Sequence, residues 1–264
     1  MDKLTAAKEK LLTIRAQRTR PALDDKIITA WNAMTISGLA DAYKALGDEN
    51  FLDAAVRSIT FIETHLMDGN VLYRSHKKKR SAVTGFLDDY AFVIQAYAKL
   101  YQVTFNEAWL TKGTHWLNRV LDNFYNASQH FFHYTGKASE KLIASRKEIF
   151  DNVIPSSNSV MAQNLLHYGT LTDNDAWVKH AEAMTLSLHN LIVSEPYYMS
   201  QWAIVYTEIK KGLATVAITG HDAATMRKQF QQHYQPFTLS MGTVGDSTLP
   251  LLQGKTTGDG TWLY

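Results

Sequence analysis

The chain has 264 residues, 45% hydrophobic and 20% charged, which is enough apolar material for one large core or two smaller ones and excludes general disorder. Lys and Arg number 27 against 25 Asp and Glu, so no bulk field recruits nucleic acid or an anionic membrane. The absence of Cys excludes disulfides, thiolate zinc sites and a Cys nucleophile within the chain.

The first residues, MDKLTAAKEK, are charged and helical in composition and carry neither an apolar core nor a small-residue cleavage site. No secretory signal is read there, and a cytoplasmic location is the expectation. No run approaches the roughly 18 apolar residues of a membrane-spanning helix. A first long helix is expected from Asp25 to Leu46 and another from Asp89 to Val103. Both are apolar around most of their circumference, the mark of a helix covered on nearly all sides.

Each such helix is followed by a restart. The segments AYKALGDENFLDAA from Ala42, AKLYQVTFNEAWLTKG from Ala98 and NLLHYGTLTDNDAWVKHA from Asn164 share one pattern: an apolar helix ends, the chain turns through small or polar residues, and a new helix begins at Phe51, Trp109 or Trp177. The helices after the restarts are one-sided, with Ala55, Ile59, Ile62 and Leu66 in the first and Trp177, Ala181, Met184, Leu188 and Leu191 in the third. Alternating covered and half-exposed helices in repeated hairpins predict an inner and an outer ring, an all-α fold of (α/α) toroid type. A linear helical solenoid is the other arrangement the pattern allows.

Two stretches depart from the helical pattern. From His130 to Ile149 the text alternates around Thr-Gly-Lys and reads as a hairpin-like insertion. From Gly212 a strand (LATVAITG), a helix (HDAATMRKQFQQHY) and a second strand (QPFTLSMG) read as a small α/β appendage, with an irregular tail from Leu251 to Tyr264. The expected organisation is a helical toroid-like domain over residues 1–211 and the appendage over 212–264.

The starts of the three covered helices are unusually polar: RTRPALDDKIITAWN (Arg18 to Asn32), TGFLDDYAF (Thr84 to Phe92) and DNVIPSSNS (Asp151 to Ser159). Helix capping explains one Asp, Ser or Asn at each start, at about 0.5–2 kcal/mol per cap. It does not explain the paired carboxylates Asp24-Asp25 and Asp88-Asp89, because neighbours on a helix point roughly 100° apart. In parallel inner helices these starts share one end of the ring. There Asp24, Asp25, Lys26, Trp31, Asn32, Asp88, Asp89, Tyr90, Asp151, Asn152, Ser156 and Asn158 converge on a mouth suited to a sugar-like ligand: carboxylates and amides for hydroxyls, Trp31 for stacking, and paired carboxyls for proton exchange. Asp25 and Asp89 are the catalytic acid/base candidates.

Arg18, Arg20 and Arg146 add bidentate donors for an anionic sugar, although pairing with the surplus carboxylates is the simpler reading. The basic run Lys77-Lys78-Lys79-Arg80 reads as a solvated loop and not as a nucleic-acid site. The oxygen set Asp88, Asp89, Asp151 and Asn152 matches no calcium-loop spacing, so neither metal nor cofactor is expected.

The motifs RxRPxLDDKIxTAWNAMxISGLA, GFLDDYAF and RKEIxDNxxPSSNSV, with the intervening LIxxR, resemble the helical portion of the thioredoxin-domain-containing, spermatogenesis-associated protein family. The resemblance runs from about Arg15 through most of the chain. It implies a helical part similar to six-hairpin (α/α) toroid glycosidases and N-acylglucosamine epimerases, preceded in full-length relatives by a thioredoxin-like partner domain absent here, and it implies an incomplete ring. Epimerases of that group use histidine pairs, and the ten His of this chain lie outside the three motifs. Hydrolysis or hydration through paired carboxylates therefore fits the motifs better. The alternative is a non-catalytic helical module whose motifs hold its architecture.

Overall fold

A computed structural model describes residues 2–137, 146–255 and 260–264. Its first helix, α1 (Asp2–Ala16), has no buried residue. An extended segment then leads through a two-residue strand, β1 (Ile27–Ile28), into the helical body. Three hairpins follow: α2 (Thr29–Leu46) with α3 (Glu49–His65), α4 (Leu87–Thr104) with α5 (Glu107–Phe124), and α6 (Ser157–Thr172) with α7 (Asp175–Ser187). Helix α2 packs on α4 and α4 on α6, forming an inner row backed by α3, α5 and α7. After a short helix, α8 (His189–Ser194), the next helix, α9 (Ser200–Lys211), packs against both α6 and α7.

The two expected kinds of helix are both present. Helix α3 buries Ala55, Ile59 and Ile62 on one face, and α5 buries Leu110, Gly113, Trp116, Leu117, Val120 and Phe124. Helix α4 is buried along nearly its whole length, from Leu87 to Val103. The one-sided pattern read from Trp177 to Leu191 is interrupted, because α7 ends at Ser187 and Leu191 belongs to α8.

The inner and outer rows meet with little clearance. The Tyr168 hydroxyl of α6 donates to the Ile94 carbonyl of α4 at 2.9 Å, and a Cβ added at Gly113 of α5 would fall on that hydroxyl. Tyr90 of α4 packs against Trp116 and Phe124, and Tyr97 stacks on Trp109.

Several elements differ from the expectation. Helix α2 begins at Thr29, so Asp24 and Asp25 precede it, because β1 pairs antiparallel with β4 (Ser75–Lys77) and draws those residues into extended chain. Between α3 and α4 lie two hairpins that the sequence reading missed: β2 (Met67–Asp68) with β3 (Val71–Leu72), and β4 with β5 (Lys79–Arg80). The basic run read as a loop therefore forms the second hairpin. The insertion read from His130 to Ile149 falls partly outside the described residues, and what is described includes a single antiparallel bridge between Tyr125 and Phe132.

At the C-terminal end, β6 (Ala214–Thr219) and β7 (Thr238–Thr243) pair in parallel around α10 (Ala223–Gln231). The tail is not wholly irregular: β8 (Trp262–Leu263) returns to pair antiparallel with β6, satisfying a sheet edge. This unit sits under the C-terminal ends of α2 and α4. Gln231 donates to the Gln102 carbonyl, Ser247 to Glu107, and the Arg227 guanidinium lies 5.5 Å from the Tyr43 ring and 5.7 Å from Phe105. Phe105 ends α4 in the left-handed region, an unfavourable conformation for a bulky residue, with its ring packed against Gly242.

Gly113→Ala is expected to lower stability by about 1–3 kcal/mol, because the new methyl must displace a hydrogen-bonded buried tyrosine. Urea denaturation checks this, and a surface substitution on the outer face of α5 serves as the control.

Candidate functional site

Neither of the two covered helices at the heart of the fold is capped by the side chain of its N-cap residue, Ile28 or Phe86. The outer helices carry theirs: Asp48, Asn106 and Asn174 accept from the first-turn amides of α3, α5 and α7. Helices α2 and α4 instead share one carboxylate. Asp89 Oδ1 accepts from Ala30 N at the start of α2 at 3.0 Å, and its Oδ2 accepts from Phe86 N at the start of α4 at 2.9 Å.

The second reason for paired carboxylates is Arg74, on the link between β3 and β4. Its Nη1 lies 2.7 Å from both Asp88 oxygens and 2.9 Å from Asp89 Oδ2. The Asp88 and Asp89 side chains are 4% and 0% exposed, and that of Arg74 is 25% exposed. Burial and the adjacent Asp88 charge push the Asp89 carboxyl above the ordinary carboxylate range, an effect the guanidinium and the Phe86 amide offset only in part. Burial also works against the Arg74 charge, but Asp89 and Asp88 outweigh it and hold the guanidinium ionised. Tyr90, the next residue, turns inward, and its hydroxyl accepts from Leu72 N.

The third polar start has its own partners. Asp151 accepts from Ser156 N at 2.8 Å and from Gln201 N at 2.8 Å, joining the beginnings of α6 and α9. Ser156 caps α6. Asn158, fully buried, accepts from Phe132 N and donates to the carbonyls of Phe132 and Glu148, fastening the loop after α5. The polar starts thus share one end of the inner row, but α2 is joined to α4 and α6 to α9 by separate sets of contacts.

The remaining sequence candidates lie at the surface. Asp24 pairs with Lys26 at 3.2 Å, and Asp25 pairs with Lys77, whose ammonium holds that carboxyl below its usual range. Trp31 is 58% exposed on the first turn of α2, and Asn32 donates to the Ile28 carbonyl. Arg18 and Arg20 are exposed in the segment after α1 and make no ion pair with the motif carboxylates. Arg74, absent from the sequence candidates, takes the role expected of them. Arg146 lies 4.0 Å from Glu148 and, with Asp151, Asn152, Phe150 and Tyr198, lines an open depression of about 560 Å³ beside α6.

A second cavity, of about 550 Å³, lies between residues of α2, α4, α6 and α9 and the segment after α10. Each inner helix presents a polar stripe to it: Ser37, Asp41 and Lys44 from α2, Gln95, Lys99 and Gln102 from α4, Gln163 and His167 from α6, and Glu208 from α9. Steps of four and three place each set on one helix face. The stripes interlock. Gln95 and Gln201 donate to Gln163 Oε1 at 3.2 and 2.9 Å, and Gln163 donates to Glu208 Oε1 at 3.0 Å. His167 Nε2 lies 3.2 Å from both Glu208 oxygens. This arrangement offers amide donors and acceptors for hydroxyl groups and one imidazole–carboxylate pair able to hold or move a proton. The signal for it was the i, i+4, i+7 polar stripe on helices otherwise apolar.

No known family profile matches the chain. It is 28% identical over 223 residues to uncharacterized protein B0495.5 of Caenorhabditis elegans, covering 81% of this chain and 30% of that protein. It is 26% identical over 241 residues to spermatogenesis-associated protein 20 of Homo sapiens, covering 87% of this chain and 30% of that protein. The chain therefore spans about 30% of the length of these relatives.

Among solved structures, the family 76 α-mannanase BT2949 of Bacteroides thetaiotaomicron superposes with a TM-score of 0.56 at 13% identity, over 87% of this chain and 67% of that one. Cellobiose 2-epimerase from Bacillus thermoamylovorans superposes with a TM-score of 0.52 at 14% identity, over 62% and 44%. These likenesses establish a fold of the (α/α) toroid type.

Asp89→Asn is expected to lower unfolding free energy by about 2–4 kcal/mol, since it removes a buried charge from Arg74 and places an amide donor among donors. Asp25→Asn leaves the denaturation midpoint unchanged, because its partner Lys77 is solvated. Parallel urea titrations of the two variants measure the contrast.

Proposed function

We propose that the chain binds a carbohydrate-like small molecule in the hollow between the inner helices, and that the carboxylate-rich helix starts hold that hollow in shape. The observation carrying this reading is the interlocked polar lining formed by Gln95, Gln163, Glu208 and His167 in a space of about 550 Å³, with Gln201 bonded to Gln163 behind it. Packed helices cover such amides only where hydrogen bonds repay their desolvation, and here those bonds face a space of ligand size. A ring of alternating donors and acceptors suits a polyhydroxylated ligand better than an apolar one. The toroid fold shared with a mannanase and a sugar epimerase agrees with this assignment as analogy of fold.

In this reading the roles divide. Gln95 and Gln163 fix the orientation of hydroxyl groups, and the His167–Glu208 pair is where a proton is exchanged if the ligand is transformed. Asp89, with both oxygens engaged, acts as the joint between α2 and α4. Asp25, exposed and paired with Lys77 ahead of α2, stays outside the chemistry.

Thermal unfolding against neutral, amino, uronic and phosphorylated hexoses tests the proposal. At 100 times its dissociation constant a true ligand adds about 2.7 kcal/mol of stability, a shift of a few degrees for a chain of this size. The expected result is a shift for one hexose class that Glu208→Gln or Gln163→Leu reduces at least about tenfold in affinity, whereas Asp25→Asn leaves it intact. A shift abolished by Asp25→Asn and indifferent to Glu208→Gln would place the site at the helix starts. No shift with any hexose would refute the carbohydrate reading.

A further inference from the structure

The charges facing the hollow sum to zero, but they are not all paired. Asp41, Lys44, Lys99, His167, Glu208 and His233 line it. Lys99 Nζ lies 2.8 and 3.0 Å from the two oxygens of Asp41, and Glu208 is engaged by His167 and Gln163. Among the described residues, Lys44 makes no hydrogen bond or ion pair, and it is half-buried in the lining of the hollow. Its place in the last turn of α2 favours a cation, but a helix terminus rewards an ammonium in solvent equally well and gives no reason to enclose one. Burial, together with the Lys99 charge, lowers the Lys44 pKa from its ordinary value, and Asp41 compensates only in part.

From the hollow and this unpaired cation we infer that the ligand is an anionic sugar, a phosphorylated or uronic hexose whose charged group sits at Lys44 while its hydroxyls meet Gln95, Gln163 and Glu208. The inference rests on the hollow being the carbohydrate site. An anion there gives Lys44 the partner it lacks, draws a charge-assisted hydrogen bond from it, and offsets the repulsion between Lys44 and Lys99. Asp41 holds Lys99 back from the same role, which leaves Lys44, of the two lysines lining the hollow, to engage the ligand directly. The Glu208 end, already acidic, repels the anionic group, so the two ends fix the direction in which the sugar enters.

Isothermal titration of the chain with glucose, glucuronate, glucose 6-phosphate and inorganic phosphate tests this, with Lys44→Gln, Lys44→Arg and Gln163→Leu alongside. The expected result is that an anionic hexose binds about tenfold or more tightly than glucose, that Lys44→Gln removes the preference, that Lys44→Arg retains it, and that added salt weakens it. Whichever of glucuronate and glucose 6-phosphate binds more tightly identifies the anion as carboxylate or phosphate. Equal binding of glucose and its anionic forms, or a preference that survives Lys44→Gln, overturns the inference while leaving the hollow as a sugar site. Phosphate binding that depends on Lys44, with no hexose bound, supports the anion site and overturns the sugar reading. Silence of every probe overturns both.

Discussion

The structure hangs on one half-buried guanidinium. Arg74 neutralises two adjacent carboxylates at the start of the innermost helix, and without it Asp88 and Asp89 would be like charges taken out of water side by side. With it in place, Asp89 is free to accept amides from two different helices and so sets the level at which α2 and α4 begin. Strands β3 and β4 are short because their task is to deliver Arg74: the Thr29 amide donates to the Arg74 carbonyl, and the Arg74 amide donates to the Val83 carbonyl. The same arrangement recurs with different residues one step along the row, where Asp151 aligns α6 with α9. Parallel inner helices are thereby clamped at one end by carboxylates and at the other by the α/β unit, through Gln102, Glu107 and Arg227.

Between the carboxylate clamp and the α/β unit, the inner helices face the hollow from their middle turns to their C-terminal ends. A helix surrounded by other helices has no reason to keep a Gln, Lys or His on its surface unless that surface meets water or a ligand, because an unpaired amide in the core is costly. The stripes on α2, α4, α6 and α9 converge on one space, and most of their members bond to one another across helices. The cross-links hold the side chains in place before any ligand arrives, which reduces the ordering cost of binding.

The helical hairpins were legible in the sequence because they are long and periodic. Restarts at Phe51, Trp109 and Trp177 and the steps of four and three in α3 identify them without ambiguity. The hairpins between α3 and α4 were not legible, since strands of two or three residues carry no period and Lys77 to Arg80 resembles a solvated loop. Arg74 was missed for the same reason: nothing in VLYRSHKKKR singles out one cation among five as the partner of the buried carboxylates. Asp24-Asp25 and Asp88-Asp89 look alike in sequence, yet β1 pulls the first pair into the extended segment ahead of α2 while the second pair sits inside the first turn of α4. The polar stripes were visible, but Gln95, Lys99 and Gln102 on a helix that is otherwise apolar are easily counted as exceptions until several helices bring theirs together.

In the proposed function the hollow-facing stretches of the inner helices are the binding surface and the carboxylate-clamped starts are the frame. Hydrogen exchange of backbone amides, followed with and without saturating glucose 6-phosphate or glucuronate, tests this most directly. The account predicts added protection in the segments around Ser37 to Lys44, Gln95 to Gln102, Gln163 to His167 and Gln201 to Glu208, with the segments around Asp24 to Asn32 and Thr84 to Tyr90 unchanged. Protection confined to those helix starts, with the middle of the row unaffected, would contradict it.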